Sequence, residues 1–283
     1  MSPDLERRFG GLRRLYGDAG YTRLRAARFA VVGLGGVGSW AAEALARSGV
    51  AGLVLIDLDH VAESNINRQV QALTPTLGQA KVQALAERIA LIHPGCSVHG
   101  VEDFATADNW PALLPIAVDV VIDGCDQVRA KEAIALWSLE TGVPLIVAGA
   151  AGGKQRPEAV QVADLADVTH DPLLAALRQR LRKAGAVPRA GVSPAASGIR
   201  CVFSREPVAA PLQSAAAAAG TDAEAACEAN PSPDATTDGS LNCHGYGSSV
   251  MVTATFGMAA ASAAVAVVVR LLGVPGSPPA QAR

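Results

Sequence analysis

Residues 30–81 read AVVGLGGVGSWAAEALARSGVAGLVLIDLDHVAESNINRQVQALTPTLGQAK. An apolar run feeds into Gly33-x-Gly35-Gly36-x-Gly38, and WAAEALARSG then supplies helix-forming residues up to Gly49. A second apolar run, 52–57, ends at Asp57. The pattern predicts a strand, a tight turn, a helix that starts at Gly38 and stops at Gly49, and a second strand buried on both faces. The glycines divide the work: Gly33 allows the turn, Gly35 lets a phosphate approach the backbone, and Gly38 packs helix against strand. With Gly36 they are the candidate nucleotide-binding positions, and phosphate is expected at the positive end of the helix. Asp57, at the tip of strand two, is placed to hold ribose hydroxyls. Taken alone, this unit does not separate NAD, FAD and ATP.

The same alternation continues outward. A helix is expected over 78–93, ended by Pro94, then a strand at 97–102 and another at 118–123 that ends in Asp-Gly-Cys-Asp. A helix at 128–140 leads to a fifth strand at 144–148. Strands and helices in alternation with short links predict an α/β fold with a doubly wound, mostly parallel sheet. Ligands in such folds sit beyond the C-terminal strand ends.

The chain accordingly divides into three segments: a basic, partly helical arm (1–27), a Rossmann-like nucleotide-binding core (28–150), and a C-terminal α+β extension (151–283). In the extension, Asp171 and Pro172 signal a helix start. Residues 208–240, rich in Ala, Ser, Pro and Thr, predict a long mobile loop. The uncharged stretch 248–269 is long enough to cross a bilayer. Its hydrophobicity is moderate and it lacks an aromatic belt, so a helix buried in a core or dimer interface is expected instead of a membrane association.

The chain has 283 residues, half of them hydrophobic and 18% charged, which allows a sizeable core. A net charge of −2 excludes global attraction to nucleic acid but leaves room for a local basic patch. Five cysteines (96, 125, 201, 227, 243) form no C-x-x-C pair, so neither a disulfide framework nor a structural zinc site is expected. The N-terminus has no apolar core of the secretory type, and cytoplasmic location is expected.

The residues after Asp57 narrow the ligand. ATP carries about four negative charges and needs cations and a metal around it. Arg68 and Lys81 are suited to supply the charge, Asn65 and Gln69 neutral hydrogen bonds, and Asp126 a hold on Mg2+. Each is ordinary surface polarity when taken singly; together on the ligand edge they point to ATP. Arg68, Lys81 and Asp126 are therefore also the candidate catalytic groups.

DLDHVAESNINRQ (57–69) with GQAK (78–81), after GLGGVG, resembles the ThiF superfamily of ubiquitin-activating-like adenylating enzymes; IDGCD (122–126) matches its D-x-x-D stretch. The resemblance implies that Asp57 binds ribose, that Asn65, Arg68 and Lys81 bind phosphates, and that Asp126 binds magnesium. It implies a homodimer in which an N-terminal arginine reaches the partner's ATP; Arg8 and Arg14 are both candidates. Sulfur-carrier-activating relatives carry Arg-x-x-Arg, where this chain has Arg8-Phe9-Gly10-Gly11, and they carry zinc cysteine pairs that it lacks.

AGAAGGK (148–154), CVFSREP (201–207) and MVTATFG (251–257) extend the resemblance to the tRNA threonylcarbamoyladenosine dehydratase branch. That branch implies ATP-driven cyclisation of the threonylcarbamoyl side chain in tRNA, with activation of its carboxylate as an acyl-adenylate or acyl-phosphate. Basic residues with no acidic neighbour at 178–200 suit tRNA phosphates, or a solvated helix end. Cys243, beside His244, is either a structural thiol or a persulfide acceptor for a cysteine desulfurase. Two other activities compete: adenylylation of the C-terminal glycine of a ubiquitin-like sulfur carrier, and nicotinamide-dependent reduction.

Overall fold

The computed structural model describes residues 4–188, 196–209 and 246–270. The expected mobile loop, apart from 208–209, lies outside the described residues, as do Cys243, His244 and Arg189.

Continuous apolar runs become the inner strands. β1 (Arg28–Val32), β2 (Gly52–Ile56), β4 (Val120–Asp123) and β5 (Leu145–Ala148) are buried on both faces apart from the first residue of β1. β3 (Ser97–Val101) lies at one edge and is half exposed. Beyond β5 come β7 (Arg200–Ser204), parallel to it, and β6 (Val160–Asp164), antiparallel to β7 at the other edge. The order is β3-β2-β1-β4-β5-β7-β6, a mostly parallel seven-stranded sheet. The extension past residue 150 therefore continues the core's own sheet rather than building a second one. The order reverses between β1 and β4, and that crevice is where an open α/β sheet takes its ligand.

Helices cover both faces. The amino-terminal arm forms α1 (Leu5–Phe9) and α2 (Gly11–Ala26), kinked at Gly17, whose φ is +70°. With α3 (Gly38–Arg47), α4 (Lys81–Ile92) and α7 (Val250–Arg270) they bury one face. α5 (Val128–Thr141) and α6 (Pro172–Lys183) bury the other. Asp171 caps α6 by accepting from the Leu174 N–H at 3.0 Å.

α7 is long and apolar enough to span a membrane by composition, with a mean hydropathy of 2.0. In this fold Val252, Phe256, Ala260 and Ala264 enter the core, and α7 crosses α3 at Gly257. A Cβ at Gly257 would sit 2.5 Å from the Val37 carbonyl oxygen and 2.7 Å from the Trp40 Cβ. The crossing is that close because α7 places no side chain there, which lets its backbone sit against the Trp40 Cβ and the α3 backbone.

Candidate functional site

The glycine turn is set by backbone contact with its neighbour in the sheet. Gly33 has φ +79°, and a side chain there would come within 2.8 Å of the Cys125 backbone nitrogen. The β1 and β4 turns therefore press directly against each other. A Cβ at Gly35 would face open space, as a backbone that receives a bulky ligand requires. Gly38 does not line the cleft: a Cβ there would overlap the Gly33 carbonyl oxygen at 1.8 Å, which makes it the helix-packing position.

A cleft opens over these turns. Its walls include Gly33, Gly35, Gly36, Asp57, Asn65, Arg68, Gln69, Lys81 and Asp126, so every predicted core site residue except Gly38 converges on it. Asp57 is 7% exposed; its two oxygens accept from the Leu34 N–H at 2.6 Å and the Asp59 N–H at 2.9 Å. Burial pushes its pKa up, against the opposing pull of Lys81 and of those two N–H groups.

Lys81 begins α4, and its Nζ lies 2.6 Å from Asp59 Oδ2 and 3.9 Å from Asp57 Oδ1. Asp59 is half exposed, so the ammonium is held at the cleft wall by a partner that an anion can replace. Arg68 is half buried, and burial lowers its pKa. Its guanidinium donates to the Ser64 carbonyl and to Asn67 Oδ1. The Arg68 carbonyl accepts from Trp40 Nε1 at 3.0 Å and from Thr253 Oγ1 at 3.5 Å, so α3 and α7 together fix this segment. The Asn65 Oδ1 accepts from the Ala62 N–H and shapes the same turn.

Arg8 and Arg14 stand apart. Arg8 donates to the Ile92 carbonyl at the end of α4, and Arg14 is exposed on α2; neither lines the cleft of its own chain. Of the basic residues at 178–200, Arg178 donates to the Leu165 and Val168 carbonyls and Arg180 pairs with Glu132 at 2.5 Å. Arg178 is thereby tied into the fold, whereas Arg180 stays partly exposed beside Glu132, Arg182 donates to the Pro188 carbonyl at 3.3 Å, and Lys183 and Arg200 are exposed.

Sequence reasoning missed several wall residues: Asp59, Asp103, Phe104, Gln127, Leu173, Tyr246 and Thr253. Asp59 had a signal, standing two residues after Asp57 in the same motif. Phe104 is 42% exposed in an irregular stretch, and Tyr246 comes after a segment without periodicity, so no local pattern marked them. Carboxylates, cations and a glycine turn around one cleft can bind a polyphosphate, hold a metal against it and neutralise charge as a phosphoryl bond breaks.

The ThiF family profile matches residues 10–282. This chain belongs to the ThiF family. The tRNA threonylcarbamoyladenosine dehydratase of Escherichia coli (strain K12) is 41% identical over 268 residues, 94% of each chain. The protein of that name from Haemophilus influenzae is 38% identical, over 91% of each chain. The crystal structure of the E. coli dehydratase in complex with ATP superimposes with a TM-score of 0.78 at 38% identity, covering 95% of this chain and 96% of that one. The likeness thus runs through the ThiF core into β6, β7 and α7.

Proposed function

We propose that this ThiF protein is an ATP-dependent tRNA threonylcarbamoyladenosine dehydratase. The observation that carries the reading is the convergence of Asp57, Arg68, Lys81 and Asp126 on one cleft, in a chain similar to such a dehydratase over 94% of its length. Asp57 takes the ribose hydroxyls. Arg68 and Lys81, with the amino end of α3, take the phosphates, and Asn65 and Gln69 add neutral hydrogen bonds.

Mg2+ fits the donors present. Among the described residues no group of three or more His, Cys, Asp or Glu gathers to hold a metal. Mg2+ commonly needs only one or two carboxylates plus nucleotide oxygens. Asp126, on the cleft wall, is the carboxylate assigned to it. When bound, the ion supplies charge neutralisation at the phosphates.

The reaction is governed by the weakness of a carboxylate as an electrophile. Its oxygen attacks the α-phosphorus of ATP in line, a mixed acyl-adenylate forms, and pyrophosphate leaves. A nitrogen or oxygen of the neighbouring carbamoyl group then attacks the acyl carbon. AMP departs, one proton is lost, and the side chain is left one water lighter. Proximity within one side chain makes this closure favourable. The protein's part is to align the groups and hold charge at the phosphates; no nucleophilic cysteine is required. Cys125 fits that account, since burial first and Asp123 next push its thiol well above the usual range.

A homodimer belongs to the same reading. Arg8 and Arg14 lie outside their own cleft, as arginines that serve a partner's site must. Leu58, Ile66, Leu73 and Met251 are exposed apolar residues available for contact between copies. Arg182, Lys183 and Arg200 are assigned to tRNA phosphates, Cys243 is the thiol a desulfurase relay would use if it is not structural, and the cytoplasm is the expected compartment.

Mass spectrometry of tRNA incubated with protein and Mg-ATP tests the function. Loss of one water from threonylcarbamoyladenosine, with AMP and pyrophosphate released, is the expected result. Release of ADP and phosphate would replace the adenylate by an acyl-phosphate. ATP turnover only in the presence of a sulfur-carrier protein would overturn the reading.

A further inference from the structure

Beneath the cleft lies an ion pair that no step of the reaction uses. Lys131, in the first turn of α5, is wholly buried. Its Nζ lies 3.1 Å from Asp123 Oδ1, donates to the Ala148 carbonyl at 2.9 Å, and reaches the Asp123 carbonyl at 3.4 Å. Asp123 and Ala148 are the last residues of β4 and β5. One ammonium therefore joins the ends of two adjacent strands just before each gives way to a cleft wall.

Those walls are residues 124–127 after β4 and 149–152 after β5. Asp123 Oδ1 also accepts from the Cys125 N–H at 3.0 Å, which shapes the turn that carries Asp126. The Gly124 N–H donates to the Val32 carbonyl at 2.8 Å, so that turn is seated against the glycine loop as well. Asp123 Oδ2, by contrast, is buried with no hydrogen-bond partner. A buried pair with an unsatisfied oxygen is a poor source of stability. What it supplies is geometry.

We propose that Lys131 is a positioning residue for the activation reaction, one that fixes the Asp126 turn relative to the 149–152 loop across the cleft. It acts through Asp123 and two backbone carbonyls, without touching substrate. The inference rests on the ATP-dependent reading and adds to it the group that sets Asp126.

The test uses the full chain with three variants: Lys131→Met, the neutral pair Lys131→Met with Asp123→Asn, and Asp126→Asn as reference. Asn at position 123 keeps an oxygen for the Cys125 N–H while the unpaired charge is removed. Water loss from the modified tRNA, ATP binding by calorimetry with and without Mg2+, and thermal unfolding are measured on each.

The neutral pair is expected to unfold near the wild-type temperature, yet to remain about 100-fold slower in turnover, the size of loss that a small misplacement brings. Both Lys131 variants are also expected to lose most of the gain in ATP affinity that Mg2+ gives the wild type, as Asp126→Asn does. Wild-type turnover in the neutral pair would overturn the proposal. So would an undiminished Mg2+ effect on ATP binding in both Lys131 variants. A wild-type protein that neither binds ATP nor removes water would instead sink the underlying function, an outcome distinct from either of those.

Discussion

Two lysine–aspartate pairs at the same edge of the sheet behave differently. Lys81 faces Asp59, which is about half exposed, with Asp57 at 3.9 Å, and all three line the cleft. Lys131 faces Asp123, and neither side chain has any exposure. In the first pair water lowers the cost of parting the charges, so an incoming phosphate can take the place of Asp59. In the second the charges are locked, since parting them would leave an uncompensated ion in a low-dielectric interior. In the proposed mechanism the same two residue types thus serve as a ligand clamp in one place and a framework joint in the other. The difference lies in burial.

The strongest way to break this contrast is to remove one lysine from each pair. Lys131→Met is expected to lower stability by about 3–5 kcal/mol, because it strands the Asp123 carboxylate. Chemical denaturation would measure it, and a loss under about 1 kcal/mol would mean that water reaches the joint. Lys81→Met should leave the unfolding midpoint nearly unchanged while turnover falls about 100-fold or more, the size of effect seen when one charge-stabilising donor is removed. Were its stability to collapse as well, Lys81 would be a second joint and the contrast would be gone.

Gly257→Ala gives a smaller effect, mainly on packing. Crowding the Val37 carbonyl should cost about 1–3 kcal/mol in thermal unfolding. It also moves the Thr253 contact to the Arg68 carbonyl, so ATP affinity should weaken modestly with it.

A pH titration sharpens the clamp side. Asp57 has a raised pKa because burial outweighs Lys81 and the two N–H groups. It therefore favours the protonated form more in the folded chain than in the unfolded one. Its stability contribution is fully present below the unfolded pKa and is lost as pH rises through the folded pKa. The proposed ribose contact is strongest with the opposite, ionised form as acceptor. ATP affinity should accordingly fall on acidification at a pH above the ordinary aspartate range, and Asp57→Asn should flatten that limb in calorimetric titrations. An unchanged limb in Asp57→Asn would assign it to another group.

Smallest of all is Arg47→Ala. Arg47 is an exposed partner of Glu43, which Arg88 also holds, so a change within about 0.5 kcal/mol is expected.

Much of this protein was legible in its sequence because the signals are local. The glycine turn, the apolar strand runs, Asp57 and Lys81 each lie within a few residues of the pattern that announces them. The parallel pairing of the core strands was legible too, since alternating elements admit few topologies. Even α7 could be read as a buried helix, although not where it would pack.

What the tertiary structure alone decided involves partners far apart in the chain. Thr253 reaches the Arg68 carbonyl across 185 positions, and Arg178 and Arg180 find partners at Leu165, Val168 and Glu132. Asp123 showed only as the first aspartate of the D-x-x-D stretch, and its partner Lys131 carried no signal, since a lysine early in a helix is normally a solvated one. A sequence shows which charges are present. Only the folded chain settles which of them water can reach, and that separates the clamp from the joint.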